Sequence, residues 1–157
     1  MSIQRAALLE KITQVTEESF AEVALEVFRY QAAYNHIYAR YLELLRIPPA
    51  SVSQMTDIPH LPIALFKKYQ LQTGDWQAVR TFTSSGTTGS TTSQHLLRDE
   101  EWYRNNARRA FEGIYGPLEG RPVFALLPAY LERSGSSLVF MADDFIKQSK
   151  HSISGFF

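Results

Sequence analysis

From Ile3 to Val15 apolar residues recur at spacings of three and four, through Ala6, Ala7, Leu8, Leu9 and Ile12, which predicts one amphipathic helix. Ser19 and Glu22 then have the spacing of a capping box. Phe20, Val23, Ala24, Val27, Phe28, Tyr34, Ile37, Tyr38, Tyr41, Leu42 and Leu45 follow at helical spacing. The pattern predicts one long second helix that stops before Ile47-Pro48-Pro49, because proline lacks an amide donor and disfavours helical geometry in the residue before it. Its aromatic stripe reads as core in preference to an acyl or aryl pocket, and His36 has no second ligand type at i+4 to make a metal site. Four prolines make residues 48–63 an ordered connector, with one or two helical turns expected over Ala64 to Tyr69 and with Lys67 and Lys68 solvated.

The second half changes period. Ala78 to Thr83 alternates and is β-branched, as a strand requires, and Gln94 to Arg98 fits a returning strand. Asp99 is placed to cap a helix with Glu100 and Glu101 in its first turn, ending between Gly113 and Pro117. Glu100 and Arg104 stand at i,i+4, so Arg104, Arg108 and Arg109 read as a solvated, salt-bridged face. Pro122 to Pro128 is a continuous apolar run, expected as a strand buried on both faces, and Ser136-Ser137 opens a further helix through Ile146. Strand, helix, strand, helix predicts an α/β class with parallel pairing. The chain is accordingly read as helical over 1–47, a proline-rich connector over 48–75 and an α/β segment over 76–157.

Composition narrows the function classes. A chain of 157 residues with 45% hydrophobic and 20% charged positions can bury one core and lies far from disordered compositions. Sixteen basic residues balance sixteen acidic ones, so the chain lacks the net field that holds a nucleic acid or an anionic membrane. The absence of cysteine excludes disulfides, thiolate zinc sites and a cysteine nucleophile within these residues. There is no signal-peptide pattern and no run of about 20 apolar residues, so a soluble, cytoplasmic protein is expected.

The candidate chemistry lies between the two expected strands, in Ser84, Ser85, Gly86, Thr87, Thr88, Gly89 and Ser90. Glycine lets backbone amides approach an anion, hydroxyls donate hydrogen bonds without adding charge, and successive amides in such a turn form a nest for phosphate. Composition alone would make this run a flexible linker, but its place between two strand-like segments argues against that. No lysine follows the second glycine, so it is not a Walker loop. Ser134-Gly135-Ser136-Ser137, at the start of the last helix, is a second potential anion cradle that reads first as plain N-capping.

Thr83 to Ser90 resembles the signature loop of adenylate-forming enzymes. Ile58 to Ile63 followed by Phe66-Lys67, the loop itself, and Leu126 to Leu138 together resemble three ordered blocks of the acyl-protein synthetase family of bacterial bioluminescence systems, and more loosely the phenylacetate-CoA ligases. Thr91, Thr92 and Ser93 stand where many members of the superfamily have Pro, Lys and Gly. The resemblance implies N-terminal helices followed by part of the layered α/β N-terminal domain of adenylate-forming enzymes. It implies an ATP- and Mg²⁺-dependent ligase that converts a carboxylic acid, a fatty acid in the closest family, to an acyl-adenylate and passes the acyl group to a thiol, a protein cysteine or CoA. Residues 84–90 would hold phosphates, while the adenine contacts, the metal-binding acid and any acceptor cysteine would lie beyond residue 157. The chain then reads as an inactive N-terminal fragment, and its ending at Phe156-Phe157 leads to the expectation of an open apolar face and self-association. A fragment of a phenylacetate-type CoA ligase and a non-catalytic binding or assembly module remain the alternatives.

Overall fold

A computed structural model of the chain describes residues 3–84, 92–127 and 135–157, and the loop positions Ser85 to Ser90 and the block Pro128 to Ser134 lie outside the described residues. The chain divides into two compact units, Met1–Leu65 with Leu71–Asp75, and Phe66–Gln70 with Trp76–Phe157. Among the described residues the architecture is mixed, with helices and two small sheets.

The first unit holds α1 (Ile3–Thr13), α2 (Phe20–Tyr34) and α3 (His36–Leu45). The single long helix expected from the periodicity is therefore two. Asn35 takes an extended conformation (φ −106°, ψ 103°), and its side chain accepts from the Tyr38 amide at 3.1 Å, so it closes α2 and caps α3. The capping box at Ser19 does not form either. The Ser19 hydroxyl instead accepts the Thr16 N–H at 2.9 Å, which leaves the first turn of α2 without a side-chain cap. Helix α3 stops where the prolines require, with Arg46 in the left-handed region at φ 57°. The connector is ordered into short 3₁₀ turns at Pro49–Ser51, Met55–Asp57 and Ile63–Lys67.

Phe28, Ala32, Tyr38, Leu42 and Val52 form this unit's core, with Leu25, Tyr41, Ile47, Ile58 and Leu61 packed against it. The aromatic stripe is thus core through Phe28, Tyr38 and Tyr41, whereas Tyr34 is exposed and donates to Gln4 Oε1 at 3.0 Å. Phe28 meets Tyr38 edge-on with centroids 6.0 Å apart, and the Tyr38 hydroxyl donates to Pro59 O at 2.6 Å, pinning the connector to α3.

The second unit opens with an antiparallel hairpin, β1 (Arg80–Thr83) on β2 (Gln94–Leu97), in the register Arg80 to Leu97 and Thr83 to Gln94. Helix α4 (Glu100–Tyr115) follows, capped by Asp99, whose carboxylate accepts from the Trp102 amide at 3.0 Å. Gly116 ends it at φ 81°, a conformation only glycine adopts without strain. Then come β3 (Phe124–Ala125), α5 (Ser137–Ser149) and β4 (Gly155–Phe156). β3 and β4 are parallel with α5 as the crossover, the pairing expected of an α/β segment.

The expected strand buried on both faces is shorter and one-sided. Ala125 is buried, while Phe124 and Leu126 on the opposite face are 56% and 81% exposed. Phe157 lies on that same face, its ring 5.6 Å from Phe124. An apolar run records that a segment avoids water, not that both its faces are covered. No helix among the described residues is long and apolar enough to cross a membrane.

Replacing Asn35 by Ala should cost about 1 kcal/mol, the usual value of an N-cap, read from the shift in a urea unfolding curve. Burial pushes the Tyr38 phenol up from its ordinary value, so the folded unit holds that proton more tightly than the unfolded chain. Its contribution should therefore be complete below about pH 10 and be lost as pH rises further. Tyr38→Phe should remove that alkaline loss, which an unfolding series from pH 8 to 11 would read.

Candidate functional site

Two segments converge at the end of the hairpin where β1 leads towards β2. Ser84 immediately follows β1, and its N–H donates to Ser93 O at 3.1 Å while the Ser93 N–H donates to Ser84 Oγ at 3.0 Å. This reciprocal pair holds together the chain on the two sides of residues 85–92. The Thr83 N–H, which points away from β2, donates to Gly135 O at 2.9 Å, so the start of α5 docks on the outer edge of β1. The two candidate anion cradles of the sequence are therefore neighbours at their bases.

Glycine at 135 leaves room for this close approach. A Cβ added there would lie 3.0 Å from Thr83 Oγ1, tighter than ordinary contact. Ser136 caps α5, accepting the Val139 N–H at 3.3 Å, as the capping reading of this turn expected. Ser84 and Ser136 thus share a chemical state. Each hydroxyl oxygen accepts a backbone amide, from Ser93 and from Val139, and a hydroxyl that accepts in this way can still donate its own O–H. Hydroxyl donors suit a ligand made of acceptors, and the positive end of the α5 dipole favours negative charge at the same end.

Behind this end lies an aromatic cluster. Phe82 of β1, Tyr103 of α4 and Phe140 of α5 have centroids 5.3 to 5.7 Å apart, and Phe140 is completely buried. The Tyr103 hydroxyl donates to Ser137 O at 3.4 Å, a second tie to the first turn of α5. Two guanidinium groups lie over the Phe140 ring, Arg104 at 4.0 Å and Arg80 at 4.7 Å from its centroid.

Those arginines belong to a chain of ion pairs. Arg80 Nε meets Glu100 at 2.6 Å, Arg104 bridges Glu100 at 3.5 Å and Asp144 at 3.4 Å, and Arg108 meets Asp144 at 3.0 Å and Glu101 at 3.1 Å. The solvated face expected for Arg104 and Arg108 is thus partly buried, because Asp144 on α5 is only 4% exposed and draws both inward. Arg109 is exposed. Sequence spacing showed the Glu100 to Arg104 pair. It carried no sign of the pairing with Asp144, which lies 40 residues further along the chain.

Among the described residues no group of three or more His, Asp or Glu side chains is placed to hold a metal ion. Comparison with known protein families, with curated proteins and with solved structures finds no match to the chain.

Gly135→Ala should destabilise the second unit, and Thr83→Ala in the same chain should restore most of the loss by removing the atom that the new methyl meets. A double-mutant cycle on urea midpoints reads this directly. Additive losses would show that the crowding lies elsewhere.

Proposed function

We propose that the run Ser84 to Ser90 is the phosphate-binding loop of an ATP-dependent acyl-activating ligase of the adenylate-forming type, resembling acyl-protein synthetase. The observation that carries this reading is the hairpin base, where strand pairing, the Ser84 to Ser93 closure and the docked start of α5 hold both ends of a glycine- and hydroxyl-rich loop. A linker has no such anchorage.

In this reading the loop amides and the hydroxyls of Ser84, Ser85, Thr87, Thr88 and Ser90 hold the β- and γ-phosphates of ATP. Gly86 and Gly89 keep the backbone close to them. The substrate carboxylate attacks the α-phosphorus, forming acyl-adenylate and releasing pyrophosphate, and a thiol then takes the acyl group as a thioester, releasing AMP and a proton. Neutral donors fixed in advance position the triphosphate and stabilise the charge that develops on the departing pyrophosphate. The described residues offer hydrogen bonds to phosphate but no ligand set for the Mg²⁺ that accompanies it. With no cysteine among these 157 residues, the acceptor thiol is a protein cysteine outside them or CoA.

Isothermal titration of pyrophosphate, and separately of MgATP, into the chain tests this. Saturable binding should weaken at least about tenfold in Gly86→Val, whose side chain blocks the close approach. Equal affinity in the two proteins, or no binding by the parent chain, would contradict the assignment.

A further inference from the structure

We infer that Asp144 is a positioning residue for the loop, setting through α5 whether the Gly135 turn sits against the end of β1. The inference rests on the phosphate-loop reading for its consequence in binding, but not for its mechanical part.

The geometry runs through one helix. Asp144 lies about two and a half turns along α5 from Gly135, at about 3.6 residues per turn. Gly135 O accepts the Thr83 N–H at the other end of that span. Between them Phe140 fixes the height of α5 against Phe82 and Tyr103, but a ring in an apolar cluster leaves rotation and sliding weakly specified. Asp144 removes that freedom. Its two oxygens face different arginines of α4, Arg104 at 3.4 Å and Arg108 at 3.0 Å, so both contacts persist in only one rotational setting of α5.

The α4 side is fixed in turn. Arg104 also reaches Glu100, Glu100 reaches Arg80 of β1, and both Arg80 and Arg104 stack on Phe140. The strand that carries the loop and the helix that docks on its edge are thereby referenced to the same charges.

One detail separates this from ordinary glue. Arg108 Nε and Asp144 Oδ2 are buried, and although they form an ion pair, neither has a hydrogen-bond partner among the described residues. A buried pair left short of hydrogen bonds is poor value for stability, since apolar residues of similar volume do as well or better. What such a pair supplies is one allowed arrangement. Charge loss at 144 therefore frees the pose of α5 more than it unfolds the unit. Arg104 and Arg108 keep Glu100 and Glu101 as partners in its absence.

Asp144→Asn separates these effects. Amide hydrogen exchange, measured without ligand, should speed at Thr83 by at least about tenfold, while Val79, whose N–H donates to Leu97 O in the same hairpin, stays within about twofold. Arg104→Lys keeps the charge but cannot both bridge two carboxylates and stack on a ring, so it should accelerate Thr83 in the same selective way and less strongly. Acceleration of Thr83 and Val79 by the same factor in both variants would reduce Asp144 to a stability residue and overturn the inference. So would an unchanged Thr83 amide. In the binding arm, pyrophosphate affinity should fall in step with Thr83 protection across parent, Arg104→Lys and Asp144→Asn. A selective exchange response with no pyrophosphate binding by the parent would uphold the positioning role and remove the phosphate-loop reading.

Discussion

The second unit depends on the burial of one side chain. Phe140 is fully enclosed where β1, α4 and α5 meet, with Phe82 and Tyr103 against it and two guanidinium groups over its ring. Such a ring buries roughly 150–250 Å², and losing it from a core usually costs about 3–5 kcal/mol, a large part of the stability of a small unit. The sheets here are too small to supply that burial themselves, with two strands each and only two residues in β3 and in β4. A two-stranded hairpin is marginal alone in water, so β1 and β2 hold their register because Phe82 and Leu97 are drawn into the Phe140 cluster. The loop between those strands inherits that anchorage.

Placing charges around this ring constrains the packing in a way that an all-apolar cluster would not. Apolar contact is non-directional and tolerates small rotations, whereas a carboxylate shared by two arginines accepts few. Arg80 and Arg104 serve both kinds of contact, ion pairing at the head and stacking on Phe140. The ion chain is only partly exposed and so is screened less than surface pairs. Both kinds of contact thus meet on one ring, between the strand that ends at Ser84 and the helix that begins after Ser136.

What the sequence made legible was local. The end of α3 before the prolines, the Asp99 cap, the hairpin and the helix beginning after Ser136 each follow from a signal within a few residues. The break at Asn35 was missed because apolar spacing continues in phase across it, and a polar residue there fits an exposed helical position as well as a cap. Ser19 shows the reverse, a cap-like pattern whose hydroxyl is taken by the Thr16 amide before it can serve the helix. The apolar run around Phe124 hid its one-sidedness, since hydrophobicity does not say which face a neighbour will cover. In the candidate site, the hydroxyl-rich loop stood out from composition and flanking strands. The contact of Gly135 with Thr83 and the embrace of Asp144 by Arg104 and Arg108 join distant positions, and only packing reveals them.

On the proposed phosphate-loop reading, pyrophosphate binds beside the Ser84 to Ser93 closure and the docked start of α5. Backbone amide NMR shifts during a pyrophosphate titration of the chain test it most directly. Saturable shifts are expected, largest at Ser84, Ser93, Gly135 and Ser136, with a common midpoint and with the amides of α2 and α3 silent. Shifts confined to α2 and α3, or none at concentrations that saturate ordinary phosphate loops, would contradict it.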